Sequence, residues 1–424
     1  MAEALSRPAD FPAEAAPAPP LAPSIRREYG LDWLRVIAFL ILIGYHTGMY
    51  FVPWPWMVKN RVTSQWLTWV MTFFNLWRLP LLFFISGAGT WFNLRRRGYG
   101  SFARERLRRL GLPLVFGMFV IVAPQVWVMR VLAGRHYASY FEFWGTVFTT
   151  GAYPRGNLSW MHLWFLPYIL TYSLVGLPLF AWLRGPVGRR AVDGFAKLCE
   201  RPGVIYLLSL PAGFAASLLM PHWPRTDNLF SDWAYFTHWG LFFFWGFVIG
   251  GSERFLALVE RRRRELLCVA AALGVLLYAF RIDGVLPFDA LARGWITGAV
   301  DINFGMVMVL MLVGWARAKF NRLSPALTWA NTAVYPLYVV HQTITVLLGY
   351  WWLGWNPPFA VKFPMLFAGT FVGSWLAYEL VRRTWVTRML FGMSMLPDAP
   401  QADLGSIGWS GWGKSRRRDR KPEH

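Results

Sequence analysis

Apolar stretches about twenty residues long recur throughout this 424-residue chain, and that length is what a helix needs to cross a bilayer. Ten can be marked, at 33–52, 66–92, 110–130, 162–183, 204–220, 235–251, 265–281, 295–316, 325–351 and 363–383. Inside lipid every backbone polar group must be satisfied within the segment, so such stretches fold as helices. The expected fold is all-α: a polytopic membrane bundle of about ten transmembrane helices, forming one domain over residues 27–392. Composition agrees, since 56% of the residues are hydrophobic and 15% charged, against roughly 25% charged in soluble domains. Residues 1–26 are Ala/Pro-rich without an apolar core, and are read as a disordered cytoplasmic tail rather than a signal peptide. Residues 393–424 are read as a second, basic, disordered cytoplasmic tail.

The net charge of +21 invites a nucleic-acid reading, but its distribution argues otherwise. With the N-terminus inside, the inner loops hold twenty basic residues and the outer loops nine. The largest group, seven, falls between Arg95 and Arg109. Retention of Lys and Arg on the cytoplasmic side of the membrane accounts for this pattern, so no nucleic-acid partner is expected. The partner is a lipid bilayer, and the location a bacterial inner membrane crossed many times. Cys199 and Cys268 make no disulfide framework. No zinc or calcium spacing, P-loop or G-x-S-x-G motif appears, so neither a metal nor a permanently bound cofactor is expected. Trp54, Trp56 and Trp66 fit an interfacial aromatic belt.

The stretch Arg27–Tyr50, REYGLDWLRVIAFLILIGYHTGMY, carries the sharpest functional signal. Arg35 stands at its entrance and His46 deep inside, eleven residues on. That is about three helical turns, which puts both on one stripe roughly 16 Å apart. Ionisable groups inside a bilayer are costly and face a cavity or one another. Histidine is the natural proton acceptor near neutral pH, and a hydroxyl nucleophile must lose its proton as it attacks an acyl carbon. His46 therefore fits a general base; the plainer alternative is a buried histidine bonded to a neighbouring helix.

Depth within the expected spans brings other residues to the same level. His341, in NTAVYPLYVVHQTI, reaches the depth of His46 and is placed to orient it or to bind an acceptor. His162, His238 and Asp301 fall near the outer ends of their spans, as possible acceptor-side groups. Arg78 lies mid-span, either a substrate clamp or half of a buried pair with Glu379 near the inner end of the last span, and Glu379 or Asp301 is also a candidate for orienting His46. Arg106 and Arg109 stand at i and i+3, a spacing that shares one helix face. Two guanidinium forks so placed can grip phosphates; the alternative is orientation bias alone.

The ordered set REYGLDWLR-x10-H, LPLLFFISG, RERLRRLGLP, MHLWFLPY, YPLYVVHQTI and YELVRR resembles the integral membrane acyltransferase-3 family throughout residues 28–390. Within it the chain is most similar to the branch that succinylates osmoregulated periplasmic glucans. Many bacterial members carry G-x-D-x-F-F-x-I-S-G in the second span, where this chain has RLPLLFFISG. The resemblance implies that His46 is the essential histidine of the R-x10-H element and that Arg106 and Arg109 handle an acyl donor. It implies transfer of a succinyl or acetyl group from a cytosolic acyl-CoA-type co-substrate to a hydroxyl of a periplasmic or cell-surface glycan. Intramembrane Arg78, Glu379 and several histidines would also suit a proton-coupled carrier of a small anion, though no inverted repeat is visible. A scaffold subunit is a third possibility. The sequence leaves the oligomeric state open.

Overall fold

The computed structural model describes residues 28–282 and 290–394. Both expected tails lie outside these residues, save Met393 and Ser394. Fifteen helical elements follow in order. They are α1 (Tyr29–Met49), α2 (Gln65–Arg96), α3 (Tyr99–Leu132), α4 (Tyr140–Thr149), α5 (Met161–Val175), α6 (Leu177–Arg184), α7 (Pro186–Cys199) and α8 (Val204–Leu219), then α9 (Trp233–Gly250), α10 (Glu253–Arg261), α11 (Arg263–Ala279), α12 (Ala290–Phe320), α13 (Pro325–Trp351), α14 (Phe359–Val381) and α15 (Trp385–Leu390). Among the described residues there is no β-strand.

Every one of the ten apolar stretches lies on helix, but fewer meet the length and apolarity of a membrane span. Five do so alone: α1, α2, α3, the Gly294–Phe320 part of α12, and α14. The bent pairs α5/α6, at 53°, and α9/α10, at 98°, bring the number to seven. The expectation of about ten spans is thus met in part. Helices α8 and α11 are too short, while α13 is long enough at 27 residues but interrupted by Asn331, Thr332, His341, Gln342 and Thr343. That polar belt is what makes α13 useful to the site.

Helix α1 packs against α2, α12, α13 and α14. Close approach replaces side-chain interdigitation where glycines meet backbone. A Cβ on Gly87 of α2 would sit 1.9 Å from the Phe243 carbonyl oxygen of α9, and one on Gly246 would sit 1.9 Å from that of Phe84. Small residues allowing such contact are the usual glue of helices in lipid. At the far end of α1, Lys59 donates to the Met49 carbonyl at 2.5 Å, and to that of Val52. Fully buried Lys362 donates to Asn60 Oδ1 at 2.8 Å and to the Trp352 carbonyl at 2.9 Å. Each lysine caps orphan carbonyls at a helix C-terminus, so the ends of α1 and α13 are tied through the 51–64 loop.

Candidate active site

His46 of α1 and His341 of α13 meet in the bundle. His46 Nδ1 lies 2.8 Å from His341 Nε2, and the ring planes differ by 5°. His341 Nδ1 lies 2.7 Å from the Tyr338 carbonyl oxygen. A carbonyl only accepts, so His341 carries its proton on Nδ1 and donates it there. In the neutral pair His341 Nε2 is then the acceptor, and His46 Nδ1 the donor to it. This tautomer assignment follows from the hydrogen-bond network. It leaves His46 Nε2 unprotonated, the free end of a carbonyl–His341–His46 chain. His341 is fully buried, whereas His46 lines a cavity.

That cavity has a volume of about 2080 Å³. Its wall includes both Tyr29 and Met49, the two ends of α1, so it runs about 30 Å along the helix, close to the apolar thickness of a bilayer. At the end where α1 begins it is lined by Arg35, Arg96, Arg106, Arg382 and Arg388. At the other it is lined by Trp54, Trp56, Trp160, Arg225 and Asp227. His46 lies between the two. Among the described residues, and with Arg78, seven arginines line the wall against one carboxylate, Asp227, and that one is bonded to Arg225 at 2.9 Å. The field inside favours an anionic guest.

Each arginine is held in its own way. Arg35 donates to Asn331 Oδ1 at 2.6 Å and pairs with buried Asp32 at 3.4 Å. Arg106, 6% exposed, donates to Thr90 Oγ1 at 2.8 Å. Arg109 does not join it on the cavity wall. A π-helical turn over Leu107–Gly111 follows Arg106, and its wider winding breaks the α-helical i, i+3 register. Arg109 instead pairs with Glu105 at 3.4 Å and is not on the cavity wall. Arg78 is 2% exposed, with its guanidinium carbon 3.6 Å from the centroid of the Tyr45 ring. Tyr45 in turn donates to Asn75 Oδ1 at 3.0 Å.

The remaining expected residues fall elsewhere. Glu379 pairs with Arg382 at 2.6 Å and is not on the cavity wall, so it partners neither Arg78 nor the histidines. One helical turn separates it from Arg382, and that proximity decides its partner. Asp301 of α12 pairs at 2.6 Å with Arg281, just beyond the end of α11, and is not on the cavity wall. His238 packs edge-on to Trp239 and Phe242, with centroids 4.7 and 5.1 Å away, and is also off the wall. His162 reaches the wall, but both its nitrogens are engaged. Nε2 donates to the Val339 carbonyl at 3.0 Å and Nδ1 accepts from Gln125 Nε2 at 3.2 Å. Gln125 also donates to Thr343 Oγ1 at 2.6 Å and accepts from Gln342 at 3.1 Å, closing a network behind His341.

Tyr45, Asn75, Asn331 and Gln125 complete the site and were not singled out by the sequence reading. A signal existed for Asn75, Asn331 and Gln125, since each is an amide inside an apolar stretch. Such a group must find partners in lipid.

The chain matches the family model described as an acyltransferase domain over residues 28–379. Among curated proteins it is similar to the glucans biosynthesis protein C of Salmonella paratyphi B and of Salmonella heidelberg, 27% identical to each over 162 residues. That stretch covers 37% of this chain and spans only 40% of the length of those relatives. No solved structure matches.

Proposed function

The chain belongs to the acyltransferase-domain family and is a multi-pass membrane transferase, and from that premise we propose that it moves a succinyl or acetyl group from a cytosolic acyl-CoA-type thioester to a hydroxyl of a periplasmic or cell-surface glycan. The membrane would be the bacterial inner membrane, with about ten crossings and both termini in the cytoplasm. The observation that carries this reading is the joining of three features in one cavity: an arginine-lined end, an unprotonated His46 nitrogen, and a second end that is aromatic and polar.

Anionic groups of the donor bind at Arg106 and its neighbours, charge-assisted contacts being the strong ones. Arg35, one helical stripe below His46, passes the donor arm inward over roughly 16 Å. The acceptor hydroxyl enters from the Trp54 end. Its oxygen attacks the thioester carbonyl carbon while His46 Nε2 takes its proton. His341 accepts from His46 Nδ1 and stabilises the imidazolium that forms. The carbon–sulfur bond then breaks, and the thiolate leaves with the proton returned by His46. The names of the Salmonella relatives support a glucan as the glycan.

Mass spectrometry of periplasmic and surface glycans from wild-type, deletion and His46→Ala strains tests this. An ester mass increment absent from both the deletion and the variant, with the variant protein at normal membrane level, is expected. An ester pattern unchanged by a properly inserted His46→Ala protein overturns it.

A further inference from the structure

Arg78 is a buried cation with two nitrogens that the protein leaves without a hydrogen bond. Its Nε and Nη1 have no hydrogen-bond partner, although the side chain is 2% exposed and lines the cavity. What holds it is the Tyr45 ring, 3.6 Å from the guanidinium carbon. The manner of holding matters. An ion pair would consume the N–H fork, whereas an aromatic face attracts the cation through its quadrupole and leaves the in-plane N–H groups available. Tyr45 directly precedes His46, and their ring centroids are 6.0 Å apart. The charged fork therefore stands one ring away from the basic nitrogen's side chain.

Distance also separates Arg78 from the other arginines. Arg106 touches α2 at Thr90, twelve residues beyond Arg78, which is about 18 Å of helix. A phosphate held at Arg106 cannot reach Arg78, but the far end of an extended thioester arm can. Among the described residues no carboxylate neutralises the fork, since Asp227, the one acid of these on the wall, is bonded to Arg225.

Resting on the acyltransferase reading, we infer that Arg78 is the oxyanion-stabilising residue of the transfer step. As the hydroxyl oxygen bonds to the carbonyl carbon, the C=O π pair moves onto oxygen. Nε–H and Nη1–H of Arg78 donate to that oxygen. Collapse restores the carbonyl, expels the thiolate and frees the fork. A preorganised donor of this kind is worth about 10²–10³ in kcat.

The experiment uses full-length protein in lipid nanodiscs, with acetyl-CoA and succinyl-CoA as donors and a β-glucan oligosaccharide as acceptor. Arg78→Met and Arg78→Lys are compared with wild type, and donor binding is measured separately with radiolabelled acyl-CoA. Arg78→Met is expected to lose about 10²–10³ in kcat with both donors while donor Kd moves less than about threefold. Arg78→Lys keeps the charge and stem, and is expected to fall about tenfold because it lacks the fork. Loss in Kd with kcat intact makes Arg78 a ground-state clamp and overturns the inference. Loss confined to succinyl-CoA makes it an acyl-carboxylate clamp and does the same, as does wild-type kcat in Arg78→Lys. Wild-type protein that transfers neither acyl group overturns the acyltransferase reading itself, a result distinct from an active enzyme indifferent to position 78.

Discussion

His46 and His162 are both histidines on the wall of the same cavity, and both lie close to His341, with ring centroids 5.0 and 5.4 Å from it. Only one can do proton chemistry. His46 spends one nitrogen on His341 and keeps the other free, while His162 spends both, on Val339 and Gln125. Residue type and closeness to His341 are shared; the allocation of hydrogen bonds is not. A polar network that is fully satisfied fixes shape, and one that ends on an unused lone pair offers chemistry.

Breaking the working end of this comparison has the largest expected effect. His46→Ala should lower the acyl transfer rate by on the order of 10³, and His341→Ala by about 10², within the span of general-base contributions. The two act as a unit, so the double variant should be little worse than His46→Ala alone. Steady-state transfer kinetics on the purified protein check this, and multiplicative losses would mean the histidines act separately.

A second contrast, between Arg106 and Arg109, sharpens the donor end. Arg106→Ala should raise the donor KM by about 10- to 100-fold, the worth of a lost charge-assisted hydrogen bond or two. Arg109→Ala should change the donor KM by less than about threefold, because Arg109 is turned off the wall and onto Glu105. Equal effects on KM would show that the donor draws both forks together and that the π-helical turn does not separate their roles.

His162→Asn addresses the satisfied histidine directly. Shortening the side chain leaves the Val339 carbonyl and a Gln125 N–H buried without partners, at a cost of about 1–3 kcal/mol. Thermal stability should fall measurably while the transfer rate drops less than about tenfold. A loss matching that of His46→Ala at unchanged stability would make His162 a proton carrier.

The sequence made the helices legible because lipid enforces them: each apolar stretch is helical in the structure. The closeness of His46 and His341 was legible too, since depth within two outward-going spans brought them level. Partners across the bundle were harder. Arg78 sits on the face of Tyr45, a contact that no charge pattern encodes. Arg106 and Arg109 differ in access to the cavity where a π-helical turn follows Arg106, a local winding that the R-x-x-R spacing does not encode. Depth drew Asp301 toward the histidines and Glu379 was paired with Arg78, while nearer arginines, Arg281 and Arg382, held them.

Those two carboxylates supply the smallest prediction and the cleanest control. Glu379 is bonded to Arg382 one turn away, and Asp301 to Arg281, just beyond the end of α11. Neither lines the cavity. Glu379→Gln removes a partly exposed pair of the kind that contributes little, and the transfer rate should change less than about twofold. Asp301→Asn should likewise leave kcat within about twofold, with any effect appearing as lowered thermal stability through the loss of its ion pair. If Glu379→Gln instead matched His341→Ala in kcat at normal stability, a carboxylate would be orienting the dyad. The contrast between His46 and His162 would then rest on charge rather than on which nitrogen is left free.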